Sequence, residues 1–268
     1  MLSVSLKSAD EVLDTRVLPK QPTLAPYRAI VGLSGGDASD ESGASDAVRP
    51  RGGVGFDYLL YARNTLIIVV LSVIGMVLAS SIAAYGFARI EFPGRKLMFA
   101  VCLATMMIPF PVLMVPTYMV FNYLGWIGTF KPLWVPAWFG SAFNIFLLRQ
   151  FFMGIPRELE ESAMIDGASR WGCFWRVILP LSTPALSVVF LFHTLYVWND
   201  LVGPLIYLSH QDQFTLALGL QFLQSRSGDT PWNQLMAAAT LIVLPVIFLF
   251  LFAQRTFIRG IATTGLKG

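Results

Sequence analysis

Long apolar runs alternate with short polar connections along most of this chain. Runs of about twenty apolar residues suffice to cross a hydrocarbon core of roughly 30 Å. On that criterion five membrane spans are expected, near 65–88, 97–121, 132–152, 184–208 and 234–254. Between the third and fourth lies ELEESAMIDGASRWGCFWRVILPL, residues 158–181, where acids, arginines and a glycine interrupt the apolar text.

The periodicity of this interruption predicts two short helices. Pro156 is expected at the first turn of the first helix, where the missing N–H costs nothing. Glu158, Glu160 and Glu161 follow, near the positive end of the helix dipole, and Leu159 and Ala163 share one face. Gly167 supplies a residue that adopts left-handed backbone and stops the helix. A second helix is expected from Ser169 to about Leu179, with Trp171, Phe174, Trp175, Ile178 and Leu179 forming one apolar stripe. Pro180 and Pro184 are expected to end it and open the next span.

Composition agrees with the pattern. Hydrophobic residues make up 55% of the 268 residues and charged residues 13%, and the mean hydropathy is +0.63, which together exclude an ordinary soluble domain. Cys102 and Cys173 fall in a span and in the polar interruption, so they imply no disulfide framework.

Charge then orients the chain. Arg89, Arg95 and Lys96 follow the first span; Arg149, Arg157, Arg170 and Arg176 follow the third; Arg255, Arg259 and Lys267 lie near the C-terminus. The alternate loops hold only Lys131 and Arg226. Basic loops stay in the cytoplasm, which places the 156–180 segment and the C-terminus there. Five spans then put residues 1–64 outside, although that stretch carries no export signal. The expectation is a further transmembrane helix preceding Met1; the rival is a five-span chain whose tail is carried across by the first span. Residues 33–54, rich in Gly, Ser, Ala and Asp, read as a flexible extracytoplasmic loop. The organisation expected is an extracytoplasmic segment 1–64, a transmembrane domain 65–260 containing the loop 156–180, and a cytoplasmic tail 261–268.

Within the spans, polar and ionisable residues are functional candidates by default. These are His193, Trp198, Asn199 and Asp200, with Asn144 and Asn122 weaker; the competing reading is that they satisfy one another or a neighbouring backbone. Pro109, Pro111 and Pro116 kink the second span, and carbonyls freed there either line a pathway or mark an ordinary kinked helix. The acidic first helix of 158–181 suits a docking partner, against the alternatives of an interfacial helix, which usually carries Lys and Arg, or a plain connecting loop.

Several of these residues resemble a known family. Glu161-Ser162-Ala163, Asp166-Gly167-Ala168 and Ile178-Leu179-Pro180 are similar to the "EAA" loop of the membrane subunits of binding-protein-dependent ABC importers, with Ser162 in place of the first alanine and Ile178 directly abutting Leu179. Ser5 and Lys7, Ala84-Tyr85, Ala88-Arg89, Phe92-Pro93-Gly94 and Trp198-Asn199-Asp200 resemble further elements of the carbohydrate-uptake branch, the maltose and glycerol-phosphate permeases. The resemblance implies an all-α, polytopic helical bundle, the type I ABC importer transmembrane fold, lacking the first family helix. It implies that Glu161, Ser162, Ala163, Asp166, Gly167, Ala168, Ile178 and Pro180 couple to a cytoplasmic ATPase, and that the partners are a second permease subunit, an ATPase dimer, an extracytoplasmic substrate-binding protein and membrane lipid, in a bacterial-type inner membrane. No G-x-x-x-x-G-K-[ST] occurs in the chain, so no cofactor is expected on it and ATP belongs to the partner. No metal site, catalytic constellation or nucleic-acid patch is expected, and the alternative is a self-contained secondary transporter or channel.

Overall fold

The computed structural model describes residues 1–8, 11–12, 16, 18–31, 56–225 and 232–264, with side chains as far as Leu251. The flexible loop expected at 33–54 lies outside the described residues. All regular structure among those described is helical. In chain order the helices are α1 (Leu2–Ser5), α2 (Ala25–Val31), α3 (Tyr58–Arg89), α4 (Arg95–Ala104), α5 (Phe110–Tyr123), α6 (Lys131–Trp134), α7 (Ala142–Met153), α8 (Glu158–Ile165), α9 (Arg170–Cys173), α10 (Leu179–Leu181), α11 (Thr183–Trp198), α12 (Val202–Tyr207), α13 (Leu216–Gln224) and α14 (Trp232–Thr264).

Among the described residues two helices are long and apolar enough to cross a membrane unbroken: α3, and α14 over Trp232–Leu251. The other three expected spans are interrupted. The span expected at 97–121 is a broken pair, Arg95–Met107 and Phe110–Tyr123, bent by 100°. Pro109 sets the bend: it has extended backbone (ψ 139°) and opens α5, with Pro111 in the first turn, while Pro116 is accommodated inside the helix. The span expected at 132–152 is α6, a 3-10 turn over Val135–Phe139 and the twelve-residue α7, separated at Gly140. The span expected at 184–208 stops at Trp198 and resumes as the short α12, so Asn199 and Asp200 lie in a connection between helices.

The described residues divide into two compact units, one drawn from the ranges 1–67 and 198–248, the other from 68–197 and from 249 onward. In the first, Ser5 is fully buried and shares a 2.6 Å hydrogen bond with the Tyr27 hydroxyl. Lys7 is also buried, its Nζ donating to the Arg16 carbonyl at 2.7 Å and its own carbonyl accepting from Asn233. The Ser-x-Lys element thus ties the opening stretch down by filling backbone and hydroxyl acceptors. Asn64 donates to the carbonyls of Asp212 and Phe214, and the Thr65 hydroxyl accepts from Leu216 N–H.

The second unit holds a core of Met76, Ala84, Tyr85, Ala88, Leu148, Phe152, Phe174, Ile178, Ala185 and Val189, drawn from α3, α7, α11 and the 158–181 segment. Small residues on α3 let these elements approach closely. At Gly75 an added Cβ would stand 2.3 Å from the Trp138 ring, whose Nε1 donates to the Leu71 carbonyl.

Candidate coupling site

The segment 157–181 is an elbow of two helices, as its periodicity predicts. The first, α8, carries Glu158, Glu160 and Glu161 in its first turn, where the unpaired N–H groups and dipole favour carboxylates. Pro156 stands outside that first turn, since Arg157 is the cap and Glu158 the first helical residue. Gly167 ends the helix with φ +87°. Gly167 N–H bonds the Met164 carbonyl and Ala168 N–H the Ala163 carbonyl at 2.9 Å, the paired closure that requires a left-handed residue. A Cβ at Gly167 meets no neighbour, so the glycine answers to backbone conformation and not to crowding.

Ser169 caps the second helix, its hydroxyl accepting from Gly172 N–H at 3.1 Å. That helix runs through α9, a π turn over Phe174–Ile178 and α10. Pro180 lies within its last turn instead of ending it; the chain turns at Ser182 and bends by 77° into α11. Phe174 and Ile178 are completely buried, while Trp171 and Trp175 make edge-on ring contacts with Phe174 and remain exposed. The apolar stripe therefore divides, its inner half in the core and its outer tryptophans facing outward.

The residues that resemble the EAA loop divide in the same way. Glu161, Ser162, Asp166 and Gly167 are exposed, as is Pro180; Ala163 and Ala168 are half-buried; Ile178 is a core residue. Ile165, beside them, is 86% exposed. One side of the elbow is thus a free surface of acid, small and apolar groups.

The inward side carries chemistry that the sequence reading missed. Glu160, next to Glu161, is buried, with Oε2 3.2 Å from Nε of Arg89 at the end of α3. The pair is ionic and not a well-aligned hydrogen bond, and Glu160 Oε1 has no donor. Arg89 Nη2 donates to the carbonyls of Phe152 at 2.7 Å and Ile155 at 2.6 Å. One turn back along α3, the Tyr85 hydroxyl donates to the Arg170 carbonyl, and its ring lies 5.1 Å from that of Phe174. Two signals pointed there: an arginine closing a long apolar run, and a third acid on an eight-residue helix.

The intramembrane polar candidates are not gathered into one site. His193 Nε2 and the Ser72 hydroxyl share a buried 2.8 Å hydrogen bond, and the ring stacks on Tyr196, so a neighbouring helix satisfies it. Asn144 is buried in the first turn of α7. Trp198 donates to the Ile242 carbonyl, Asp200, two residues before α12, accepts from the Gly203 N–H in its first turn, and Asn199 is exposed. Among the described residues no group of His, Cys, Asp and Glu is arranged to hold a metal ion.

Comparison with known proteins joins these observations. Residues 61–263 match the family described as binding-protein-dependent transport system inner membrane component. The arabinooligosaccharides transport system permease protein AraQ of Halalkalibacterium halodurans is 34% identical over 211 residues, 79% of this chain and 75% of that protein. The sn-glycerol-3-phosphate transport system permease protein UgpE of Yersinia enterocolitica is 36% identical over 199 residues, 74% of this chain and 70% of that protein. The fold is that of a chain in a bacterial ABC transporter involved in the import of the acidic polysaccharide alginate, with a TM-score of 0.79 at 21% identity, covering 96% of this chain and 88% of that one. A second structure of an alginate transporter, in complex with an alginate pentasaccharide-bound periplasmic protein, matches with a TM-score of 0.58 at 21% identity, over 73% of this chain and 76% of that one. A transport protein and not an enzyme, this chain belongs to the inner-membrane permease components of binding-protein-dependent transport systems.

Proposed function

We propose that the chain forms half of the translocation pathway of an ATP-driven importer for a saccharide or a related polyol phosphate, and that a separate cytoplasmic ATPase drives it through the elbow. The observation that carries this reading is the outward face of α8 and the loop after it: Glu161, Ser162, Asp166 and Gly167 are exposed on a helix whose opposite side is locked into the core. Acids there disfavour an anionic lipid surface and suit a protein cleft. The distribution of Lys and Arg favours a cytoplasmic elbow and C-terminus. The relatives that act on arabinooligosaccharides and sn-glycerol-3-phosphate support the substrate class.

A second permease subunit completes the pathway. The 100° break between Arg95–Met107 and Phe110–Tyr123 supports this partner, because irregular backbone at membrane depth is tolerated against protein or a water-filled cavity and not against lipid. An extracytoplasmic binding protein delivers substrate, a reading supported by the alginate transporter solved in complex with a periplasmic protein. ATP is hydrolysed on the partner.

The test is cross-linking in membranes containing the whole transporter, with a single cysteine at Ile165 in a Cys102→Ser/Cys173→Ser background. A cross-link to the ATPase subunit from the cytoplasmic side is the expected result; labelling of that cysteine by an impermeant reagent added outside would overturn the orientation and the function together. Uptake of labelled oligosaccharide against sn-glycerol-3-phosphate then assigns the substrate class.

A further inference from the structure

We infer that Arg89 is the positioning residue that passes movement of the elbow to the membrane helices, with Glu160 as its anchor on the elbow; this rests on the coupling role proposed above. One guanidinium binds three helix ends. Arg89 is itself the last residue of α3. Its Nη2 donates to the carbonyls of Phe152, in the last turn of α7, and of Ile155, just beyond it. Its Nε faces the carboxylate of Glu160 in the first turn of α8. Only Gly154–Arg157 connects α7 to α8, so the short link that carries the elbow is gripped at both ends by the same side chain.

The chemistry of each group fits its place. A cation beside the C-terminal carbonyls of α7 and an anion at the N-terminus of α8 both complement the helix dipoles. The planar guanidinium has five donors at fixed angles and reaches acceptors on different elements at once, which a lysine ammonium at the end of a flexible stem does not reproduce.

Stability is a poor explanation for the pair. Both side chains are at least nine-tenths buried, yet Glu160 Oε1 has no donor and the Nε contact is off-angle. A buried ion pair satisfied this incompletely adds little over an apolar replacement, because desolvation offsets the attraction. Its geometry, in contrast, is specific. Glu160 and Glu161 are adjacent on α8, about 100° apart around its axis, and the first is buried against α3 while the second is exposed. Tyr85, four residues before Arg89 and so on the same face of α3, holds the start of α9 through the Arg170 carbonyl. The Cys173 thiol donates to the Glu160 carbonyl at 3.8 Å and joins the two helices of the elbow. The last turns of α3 thus hold both arms, and a push on the outer face is delivered to α3 and α7 together.

The test uses the complete transporter in liposomes, with its second permease, ATPase and binding protein, and reads substrate moved per ATP hydrolysed. In E160Q the shape persists and the charge is lost; in R89K the charge persists and the fork is lost. Both are expected to keep the Ile165→Cys cross-link to the ATPase and to keep hydrolysing ATP, while transport per ATP falls at least about fivefold, the low end of typical coupling effects. A smaller yield of assembled complex with an unchanged ratio would mean that the pair only holds the fold, and overturns the inference. So would an unchanged ratio at normal yield. Absence of the cross-link in the parent protein would instead overturn the docking reading, and the role of Arg89 that rests on it falls with it.

Discussion

The elbow at 157–181 and the broken pair at 95–123 invert the usual relation between hydropathy and burial. The elbow is the most charged stretch between the spans, yet it buries Glu160, Cys173, Phe174 and Ile178. The broken pair is almost wholly apolar and buries no residue at all; Met107 is 84% and Tyr123 90% exposed. A soluble protein could not leave so wide an apolar surface open. The contrast shows two kinds of organisation in one unit. The elbow is finished within the chain, by a caged carboxylate, a capped turn and a packed aromatic. The broken pair touches its own chain mainly through Phe99 and Cys102; in the transporter proposed above, lipid and a second subunit would cover the rest.

The sharpest way to break this comparison is at Gly167. Valine there forces a branched side chain into φ +87°, a region costing roughly 1–2 kcal/mol for ordinary residues and more for branched ones. G167V is expected to abolish uptake while immunoblots of the membrane fraction show a normal amount of protein. Retained uptake would mean that the turn is not used in coupling.

Next comes a paired measurement. Phe174→Ala empties a fully buried site and is expected to cost about 3–5 kcal/mol, lowering the melting temperature of the purified protein. Met119→Ala, at an exposed position of α5, is expected to change it by less than about 0.5 kcal/mol. If M119A destabilises the assembled transporter but not the separate chain, the broken pair is an interface with the second subunit; equal losses in both would erase the contrast. A smaller effect is expected at Gly75, where alanine places its methyl against the Trp138 ring, and overpacking of this kind costs about 1–3 kcal/mol. Of the buried sites the least is expected from Ser72→Ala, which leaves the His193 ring short of a partner at about 1 kcal/mol, the low end for an unpaired group that water partly relieves. Uptake by S72A is expected to stay normal, and a loss of uptake without loss of melting temperature would return His193 to the functional residues.

Hydropathy revealed the helical class and the places where apolar runs end, because lipid imposes a length and composition that a sliding window detects. The glycine stop and the serine start of the elbow were equally legible, because Gly167 and Ser169 act locally, through bonds spanning three to five positions; the ends assigned to Pro156 and Pro180 were not. What escaped were directions and distant partners. The windows over 97–121, 132–152 and 184–208 average apolarity and are blind to backbone redirected at Pro109, Gly140 and Trp198. Arg89 escaped because it answers to the carbonyls of residues 63 and 66 positions further on, and every residue type offers a carbonyl. Ile178 matched the coupling motif by letter but serves in the core, since motif resemblance does not say which side of a helix faces inward.

The π turn at Phe174–Ile178 gives the second arm one surplus residue. An ordinary helical turn lacks that residue, and each residue advances an ordinary helix by about 100°. Excising Val177 would therefore let the arm wind regularly while Leu179 and everything after it keep their phase. A one-residue deletion elsewhere in that arm would spin the following rod by more than a quarter revolution. The surplus residue thus sets the phase in which the arm leads into α11.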